Sequence, residues 1–287
     1  MLKTLVSTLL LSLCLASSLY AAQSTITEAE GYSCMGVDKS KKQTEQDALM
    51  DAKRKAVEFA STYIKSETQV KNFALEKDLL AAYAKAEVKI IQELEKSWYK
   101  DLAAGDCYKV KIKAEVVPDE KGMERISKSK DVADDPSAPL AVKVWTDKKE
   151  YKAGEKIKVY IKGNKPFYAR VLYKDAGGEL VQLLPNPYRS DNYFNGGAVY
   201  EIPAGNDKFD LEVSQPFGEE SVIVYAGSAP LGEIEVQTGG SVYQVKTKPK
   251  DIPAMTRGVK LTEKKNGGSV PAASEFYEDK VVLKTGK

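Results

Sequence analysis

Three short motifs have the residue types of a serine acyl-enzyme, in which a lysine activates a serine for attack on a carbonyl group. In chain order they are Ser127-x-x-Lys130 or Ser97-x-x-Lys100, then Ser190-Asp191-Asn192, and last Lys284-Thr285-Gly286. This chemistry needs the serine at the start of a buried helix, whereas Ser127 falls in a charged segment and Ser97 in a strand-like run. A single residue follows Gly286, too few for the elements expected there. The acyl-enzyme is therefore only a remote alternative.

Other catalytic groups are scarce. Histidine is absent, which removes the commonest general base and the commonest transition-metal ligand. Glu219 and Glu220 are adjacent, and neighbours on a strand point to opposite faces, so we do not expect them to act as paired carboxylates. Asp207 and Asp210 lack the spacing of a calcium loop. We predict a protein that is not an enzyme and that uses no cofactor and no metal.

A proline-flanked loop between two strand-like runs is the best candidate binding surface. Its candidate residues are Pro185, Asn186, Pro187, Tyr188, Arg189, Asn192 and Tyr193. Proline stiffens a loop, and tyrosine and arginine are enriched at binding hot spots. A structural interpretation stays open, in which the asparagines close turns and the aromatic rings cover the core.

The charge pattern bears on the class of partner. The chain has 43 Lys and Arg against 41 Asp and Glu, and the two signs are interspersed. Nucleic-acid binding would call for a basic stripe, and the chain has none, nor a polybasic patch for membranes. We therefore expect protein partners, with peptidoglycan or another glycan as the alternative.

Residues 1–22 predict an export signal. Lys3 precedes an apolar run, and small residues follow it, so we expect cleavage between Ser18 and Ala22. The apolar run is shorter than the about 20 residues that span a bilayer, and no later segment comes close, so no transmembrane segment is expected. The predicted location is the periplasm or another exported one. A lipid anchor at Cys14 is the alternative, although Leu13 stands where a small residue is wanted.

Removal of the signal would leave two cysteines, Cys34 and Cys107. An even number in an oxidising compartment favours a disulfide, which would tie the two ends of the first domain together. Closing a loop of this length stabilises a fold by roughly 4 kcal/mol. The alternative is two small buried side chains that never meet.

Residues 23–117 predict an α+β domain. Ser40 and Gln43 form a capping box, and an alanine stripe follows that would let the helix lie close on its neighbour. A second helix is predicted over Leu75–Ala86, and alternation over Tyr108–Val116 predicts a strand. The stripe consists of Ala48, Ala52, Ala56 and Ala60, and Ile90, Leu94 and Trp98 suggest a partner strand.

Residues 118–139 are charged and bracketed by prolines, which predicts a linker. Residues 140–287 carry many short strand-like runs separated by turn residues, which predicts an all-β immunoglobulin-like sandwich. The runs are Leu140–Trp145, Lys156–Lys162, Tyr168–Tyr173, Glu179–Leu184, Phe209–Val213 and Ser221–Tyr225, followed by a hairpin within Glu233–Lys248 and a last strand over Phe276–Thr285.

Two resemblances complete the picture. The C-terminal domain carries a series of short motifs: Val144-Trp145, Tyr151, Gly154, Leu172-Tyr173, Gly178-Glu179, Leu184-Pro185-Asn186-Pro187, Asn192, Tyr200-Glu201-Ile202-Pro203, Pro216-Phe217-Gly218-Glu219-Glu220, Pro230-Leu231 and Thr256-Arg257-Gly258. On these residues it resembles the bacterial domain-of-unknown-function 4384 family, although Leu184 stands where phenylalanine is expected. Residues 31–64 contain a glycine-containing strand and an alanine-rich helix, and on these features they resemble the N-terminal domains of flagellar assembly protein T and of flagellar outer-membrane lipoproteins.

These resemblances imply an accessory β-sandwich without assigned chemistry. We therefore predict an exported accessory or adaptor protein of the bacterial envelope that acts by protein–protein binding. A module that binds a small ligand or a glycan is the alternative.

Overall fold

The computed structural model of the protein describes residues 22–37, 39–67, 73–127, 134–239, 242–257 and 273–287. The predicted export signal and Cys14 lie outside these ranges, apart from Ala22. In chain order the elements are β1 (Ala22–Cys34), α1 (Lys41–Glu67), α2 (Phe73–Ala84), β2 (Glu87–Asp101), β3 (Gly105–Val117), α3 (Glu120–Ser127), β4 (Val142–Thr146), β5 (Glu150–Lys152), β6 (Val159–Gly163), β7 (Phe167–Lys174), β8 (Leu180–Leu184), β9 (Tyr193–Phe194), β10 (Val199–Ile202), β11 (Glu219–Gly227), β12 (Val236–Gly239), β13 (Val242–Val245), α4 (Ile252–Thr256) and β14 (Ala273–Gly286).

The N-terminal domain is α+β, as predicted. Strands β1, β3 and β2 form an antiparallel sheet, and α1 packs on one of its faces. The predicted capping box is present, because the Gln43 N–H donates to Ser40 Oγ at 3.3 Å and the Ser40 N–H donates to Gln43 Oε1 at 2.9 Å. All four alanines of the predicted stripe are fully buried against the sheet.

Helix α1 lies against the backbone of β1 at Gly31. A Cβ atom added at Gly31 would come within 2.2 Å of the Ala48 carbonyl oxygen and of the Ala52 nitrogen. Glycine and alanine are therefore both needed at this crossing, since any larger side chain would hold the helix away from the strand.

The C-terminal domain is a β-sandwich, which confirms the predicted fold class. A small sheet in the order β10-β6-β4 packs over the larger sheet, and apolar side chains of both sheets fill the space between them. The predicted strand at Phe209–Val213 is reduced to an isolated bridge between Glu212 and Lys156. The backbone hydrogen bonds of this bridge run from the Ile157 N–H to the Leu211 carbonyl at 2.8 Å and from the Val213 N–H to the Glu155 carbonyl at 2.9 Å. Three short strands, β5, β9 and β10, were not predicted.

Strand β14 joins the two domains in one sheet. Residues 273–278 pair antiparallel with residues 22–27 of β1, and β14 also pairs antiparallel with β11 and parallel with β5. The large sheet therefore runs without interruption from β12 at one border to β2 at the other.

The segment predicted as a linker contains a helix in its described part. In α3, Met123 and Ile126 pack with Leu79 of α2 and with Ala138, close to the start of the sandwich. The segment thus contributes a small apolar core of its own. None of the helices in the described ranges combines the length and the apolar character that a membrane span requires.

Candidate functional site

The candidate binding loop connects β8 to β9, two strands that both pair with β7. Strand β8 pairs with β7 as far as Leu184, which lies opposite Val171. Residues 185–192 then turn away, and β9 pairs with the first two residues of β7. The Ala169 N–H donates to the Asn192 carbonyl at 2.8 Å, so the loop is fixed to β7 at its return as well.

Asn186 closes the turn at the start of this loop. Its side chain is buried, and its Nδ2 donates to the Leu183 carbonyl at 2.7 Å. Its Oδ1 accepts from the N–H groups of Tyr188 and Arg189, each at 2.8 Å. These three hydrogen bonds of the amide stay within residues 183–189, which supports the structural interpretation of Asn186.

Arg189 is also held by the fold. Its Nη1 lies 3.3 Å from Asp207 Oδ2, and only 20% of the arginine side chain and 9% of the aspartate side chain are exposed. The guanidinium carbon lies 5.6 Å from the ring centroid of Phe194, a cation–π distance. Arg189 therefore fastens the loop to the sandwich instead of offering its charge to a partner.

Two tyrosines remain available. Tyr188 is 45% exposed and Tyr193 is 46% exposed. The Tyr188 ring stacks on Phe209 with centroids 6.2 Å apart, and the Tyr193 ring tilts against Tyr168 at 5.0 Å. Neither hydroxyl forms a hydrogen bond with any residue that the structure describes.

The two rings lie on different faces of the sheet edge. Phe209, under Tyr188, packs against the sandwich core, whereas Tyr168, next to Tyr193, packs against the apolar cluster on the opposite face. The loop therefore presents one half-exposed tyrosine ring on each face of the sheet. That it binds a partner stays a prediction.

The acyl-enzyme motifs do not come together. Ser190-Asp191-Asn192 lies at the beginning of β7, while Lys284 pairs with Glu219, beyond the other end of β7. An eight-residue strand covers about 23 Å. Ser97 is in β2 at the border of the sheet, and Ser127 ends α3. Lys130 lies outside the described residues.

Glu219 and Glu220 point to opposite faces, as predicted, and only Glu219 faces solvent. Glu220 is buried; it accepts from Thr285 Oγ1 at 2.9 Å and from the Tyr173 hydroxyl. Burial raises the pKa of the Glu220 carboxyl, and the hydrogen bonds from Thr285 and the Ala176 N–H oppose that rise. These contacts tie the β7–β8 turn to β11 and β14.

The same turn borders a small polar cleft. Its volume is about 220 Å³, and Lys174, Lys280 and Ser221 line it beside the two glutamates. It contains no histidine, since the chain has none. Within the described part of the chain, no three Cys, Asp or Glu side chains are grouped in a way that could hold a metal ion.

The predicted disulfide between Cys34 and Cys107 is present. The two residues are directly opposite each other in the pairing of β1 with β3, and their Cα atoms are 3.9 Å apart. The bridge therefore links neighbouring strands at the end of the N-terminal sheet, 73 residues apart in the chain.

Comparison with known proteins places one part of the chain. Residues 150–230 match a family model described as a domain of unknown function (DUF4384). No curated protein and no solved structure matches the chain. The match lies within the sandwich and includes the candidate binding loop, so the resemblance predicted for the C-terminal domain is confirmed: this domain is similar to the DUF4384 family, whose description assigns no function.

Proposed function

We propose that this protein is an exported accessory or adaptor protein of the bacterial envelope that acts by protein–protein binding and catalyses no reaction. The observation that supports this proposal is that the residues of the candidate binding loop have two different roles. The side chains of Asn186 and Arg189 make their polar contacts within the domain. The rings of Tyr188 and Tyr193 are about half exposed and are available to a partner. Rigid aromatic rings give contact area at little entropic cost, which suits recognition better than catalysis.

Export is supported by the pairing of the cysteines. A disulfide between Cys34 and Cys107 persists in an oxidising compartment and is rare in the cytosol. The export signal proposed for residues 1–22 would deliver the chain to such a compartment, with the periplasm as the proposed location. Lipid anchoring at Cys14 remains the alternative form of export.

The partner we propose is a protein of an envelope assembly. A flagellar assembly is one candidate, on the resemblance expected from the sequence of residues 31–64, a part of the chain that the family match over residues 150–230 does not include. Peptidoglycan or another glycan is the second candidate, because a half-exposed tyrosine ring with a free hydroxyl also suits a sugar.

The test is a pull-down of the tagged protein from its native host after mild cross-linking. We expect a reproducible protein partner with the wild-type chain, and its loss with Tyr188→Ala or Tyr193→Ala. Phe59→Ala is the matched control, since Phe59 is an exposed ring on α1, 51% accessible and far from the loop in the chain. Circular dichroism checks that each variant is folded.

One outcome would overturn the role given to the loop, and another would overturn the adaptor proposal itself. The first is a protein partner that is retained equally by all three variants, which would show that the loop does not bind it. The other is recovery of the chain without any protein partner, together with cosedimentation on purified peptidoglycan sacculi that Tyr188→Ala or Tyr193→Ala abolishes, which would establish the glycan alternative.

A further inference from the structure

The two borders of the large sheet are built differently. Strand β2 forms one border, and seven of its 15 residues are charged. Its pairing with β3 is interrupted by two register shifts, between Ile90 and Gln92 and between Glu93 and Glu95. Charges and bulges of this kind keep the edge of a strand from pairing with another strand. Strand β12 forms the other border; it has no charged residue, and its pairing with β13 is regular.

The hairpin of β12 and β13 has the composition of a pairing edge. Residues 236–245 contain no charged residue and no proline, and the valine and threonine among them are enriched in strands. All four residues of β12 are exposed, and Val236 is 37% accessible. Charged residues stand only at the ends of the hairpin, with Glu235 before β12 and Lys246 after β13. An exposed border strand of this composition is suited to pairing with another strand.

The main-chain groups of β12 point alternately towards β13 and away from it. The Lys246 N–H donates to the Glu235 carbonyl at 2.9 Å, and the Glu235 N–H donates to Thr247 Oγ1 at 2.8 Å, so both main-chain groups of Glu235 point towards β13. In an antiparallel pair this direction alternates from one residue to the next. The N–H and C=O groups of Val236 and Thr238 therefore point outward. No strand in the described ranges pairs with this outer side.

The outward groups of β12 are complementary to those of a second copy of the same strand. If the second β12 lies antiparallel to the first with Gln237 of both copies on a two-fold axis, Val236 of each copy faces Thr238 of the other. Each of these pairs exchanges two main-chain hydrogen bonds, so every outward group has a partner. The β-branched side chains of each pair then lie opposite each other, which is a favourable cross-strand pair. Glu235 lies opposite Gly239 of the other copy, so no like charges meet.

We propose that the outer edge of β12 is the interface of a homodimer, in which the large sheets of two copies join across a two-fold axis. Such a pair uses both β12 edges and leaves the charged β2 borders outside, so the assembly closes at two copies. Four strand residues from each copy form a contact below the about 1,000 Å² of a lasting complex, so the dimer should depend on concentration. This interface is separate from the candidate binding loop and goes beyond the proposed adaptor function.

Sedimentation equilibrium of the full mature chain, at about 1 to 500 µM, tests the dimer. We expect a reversible equilibrium between monomer and dimer, without larger species. Thr238→Pro should weaken the dimer by about tenfold or more, because proline removes an outward N–H that the pairing with β13 does not use. Thr238→Val is the matched control; it keeps the N–H and the branched shape, so it should dimerise like wild type. Circular dichroism checks that each variant is folded.

Charged substitutions test the register of the pairing. The double variant Val236→Lys, Thr238→Lys would place like charges opposite each other in both pairs, and we expect it to abolish the dimer. The double variant Val236→Lys, Thr238→Glu would place opposite charges in the same two pairs, and we expect it to keep the dimer. Both variants change the same exposed positions, so any effect on the hairpin itself is matched.

A cysteine on the axis gives a second readout. In the proposed register Gln237 faces Gln237 of the other copy in a non-hydrogen-bonded pair, with Cα atoms about 4.5 Å apart. Under mild oxidation, Gln237→Cys should therefore form a disulfide-linked dimer. Gln244→Cys is the matched control, since Gln244 pairs with Gln237 inside the hairpin but lies one strand away from the border. It should remain a monomer on a denaturing gel.

Three results would overturn the proposal. The first is a wild-type chain that stays monomeric over the whole concentration range. The second is equal dimerisation of the two charged variants, or equal crosslinking from positions 237 and 244, since neither fits an interface at this edge in this register. The third is a monomeric chain whose Thr238→Pro variant loses a protein partner in the pull-down, because the edge would then receive a strand of another protein.

Discussion

The two domains bury their cores in different ways. In the N-terminal domain, α1 lies so close to β1 that only small residues fit between them, with Ala48 and Ala52 facing Gly31. In the sandwich, two sheets are held apart by large side chains such as Phe167, Ile161 and Leu184, all fully buried. In the N-terminal domain, where backbones are in contact, a substitution that adds atoms should be destabilising. In the sandwich, where large side chains fill the core, a substitution that removes atoms should be destabilising.

The domains also differ in their covalent support. The N-terminal sheet has a disulfide across β1 and β3, while the sandwich has no cysteine. A close-packed alanine helix buries little apolar area for each residue, so a cross-link adds a larger share of the stability there than it would in the sandwich.

Loss of the disulfide should have the largest effect. We expect the paired change Cys34→Ser, Cys107→Ser to lower the free energy of unfolding by about 4 kcal/mol, because it releases a long loop in the unfolded chain. Urea denaturation of both proteins measures the difference. A single transition for both domains would show that β14 couples them into one cooperative unit. A variant as stable as wild type would contradict the role given to the bridge.

Adding one methyl group in the N-terminal core comes next. Gly31→Ala should lower the free energy of unfolding by about 3 kcal/mol, since the new Cβ meets backbone atoms of α1 that cannot rotate away. Gly36→Ala is the matched control, with nothing within 4 Å of its added Cβ. Equal effects of the two substitutions in thermal denaturation would show that α1 does not need the close contact.

Removing one methylene group in the sandwich should cost less. For Ile161→Val we expect a loss of about 1 kcal/mol, the usual penalty when a buried side chain is shortened slightly and its surroundings partly relax. Val199→Ala, at a half-exposed position on the neighbouring strand, should change stability far less. If Ile161→Val proved costlier than Gly31→Ala, the contrast between the two cores would be reversed.

The smallest effect concerns pH in the sandwich. Burial raises the pKa of Glu220 in the folded state above its ordinary value of 4.5, which applies to the unfolded chain. At a pH between the unfolded and the folded pKa, the folded state therefore holds a proton that the unfolded state has lost. Stability from this group is therefore greatest at acidic pH and is lost as the pH rises through the folded pKa. Relative to wild type, Glu220→Gln should gain stability from mildly acidic to neutral pH in denaturation curves. A constant difference between the two proteins over that range would refute the assignment.

Local patterns were enough to predict most elements and one covalent link. The capping box at Ser40, the alanine stripe and the strand alternation of β3 all depend on neighbours in the chain, and each formed where it was expected. The disulfide followed from compartment and cysteine count. These features need no knowledge of distant contacts.

Long-range pairing could not be predicted in the same way. Nothing in the period of β14 shows that its first residues pair with β1, more than 240 positions away. The many charged residues of α3 made its segment resemble a linker. Met123 and Ile126 form apolar contacts only because α2 lies beside them. At the candidate loop, the sequence left two interpretations of Asn186 open, and its burial favours the structural one. The exposure of Tyr188 likewise depends on which side chains lie beside it in the folded chain.

Site-specific photo-crosslinking in the native host tests directly whether the candidate binding loop contacts a partner. A photoreactive phenylalanine analogue would replace Tyr188 or Tyr193 in turn, with the same analogue at exposed Phe59 as the control. We expect a discrete crosslinked protein from position 188 or 193 and none from position 59. Crosslinks that are the same at all three positions, or absent from both loop positions while the chain is folded and exported, would contradict the claim that this protein acts through its candidate binding loop.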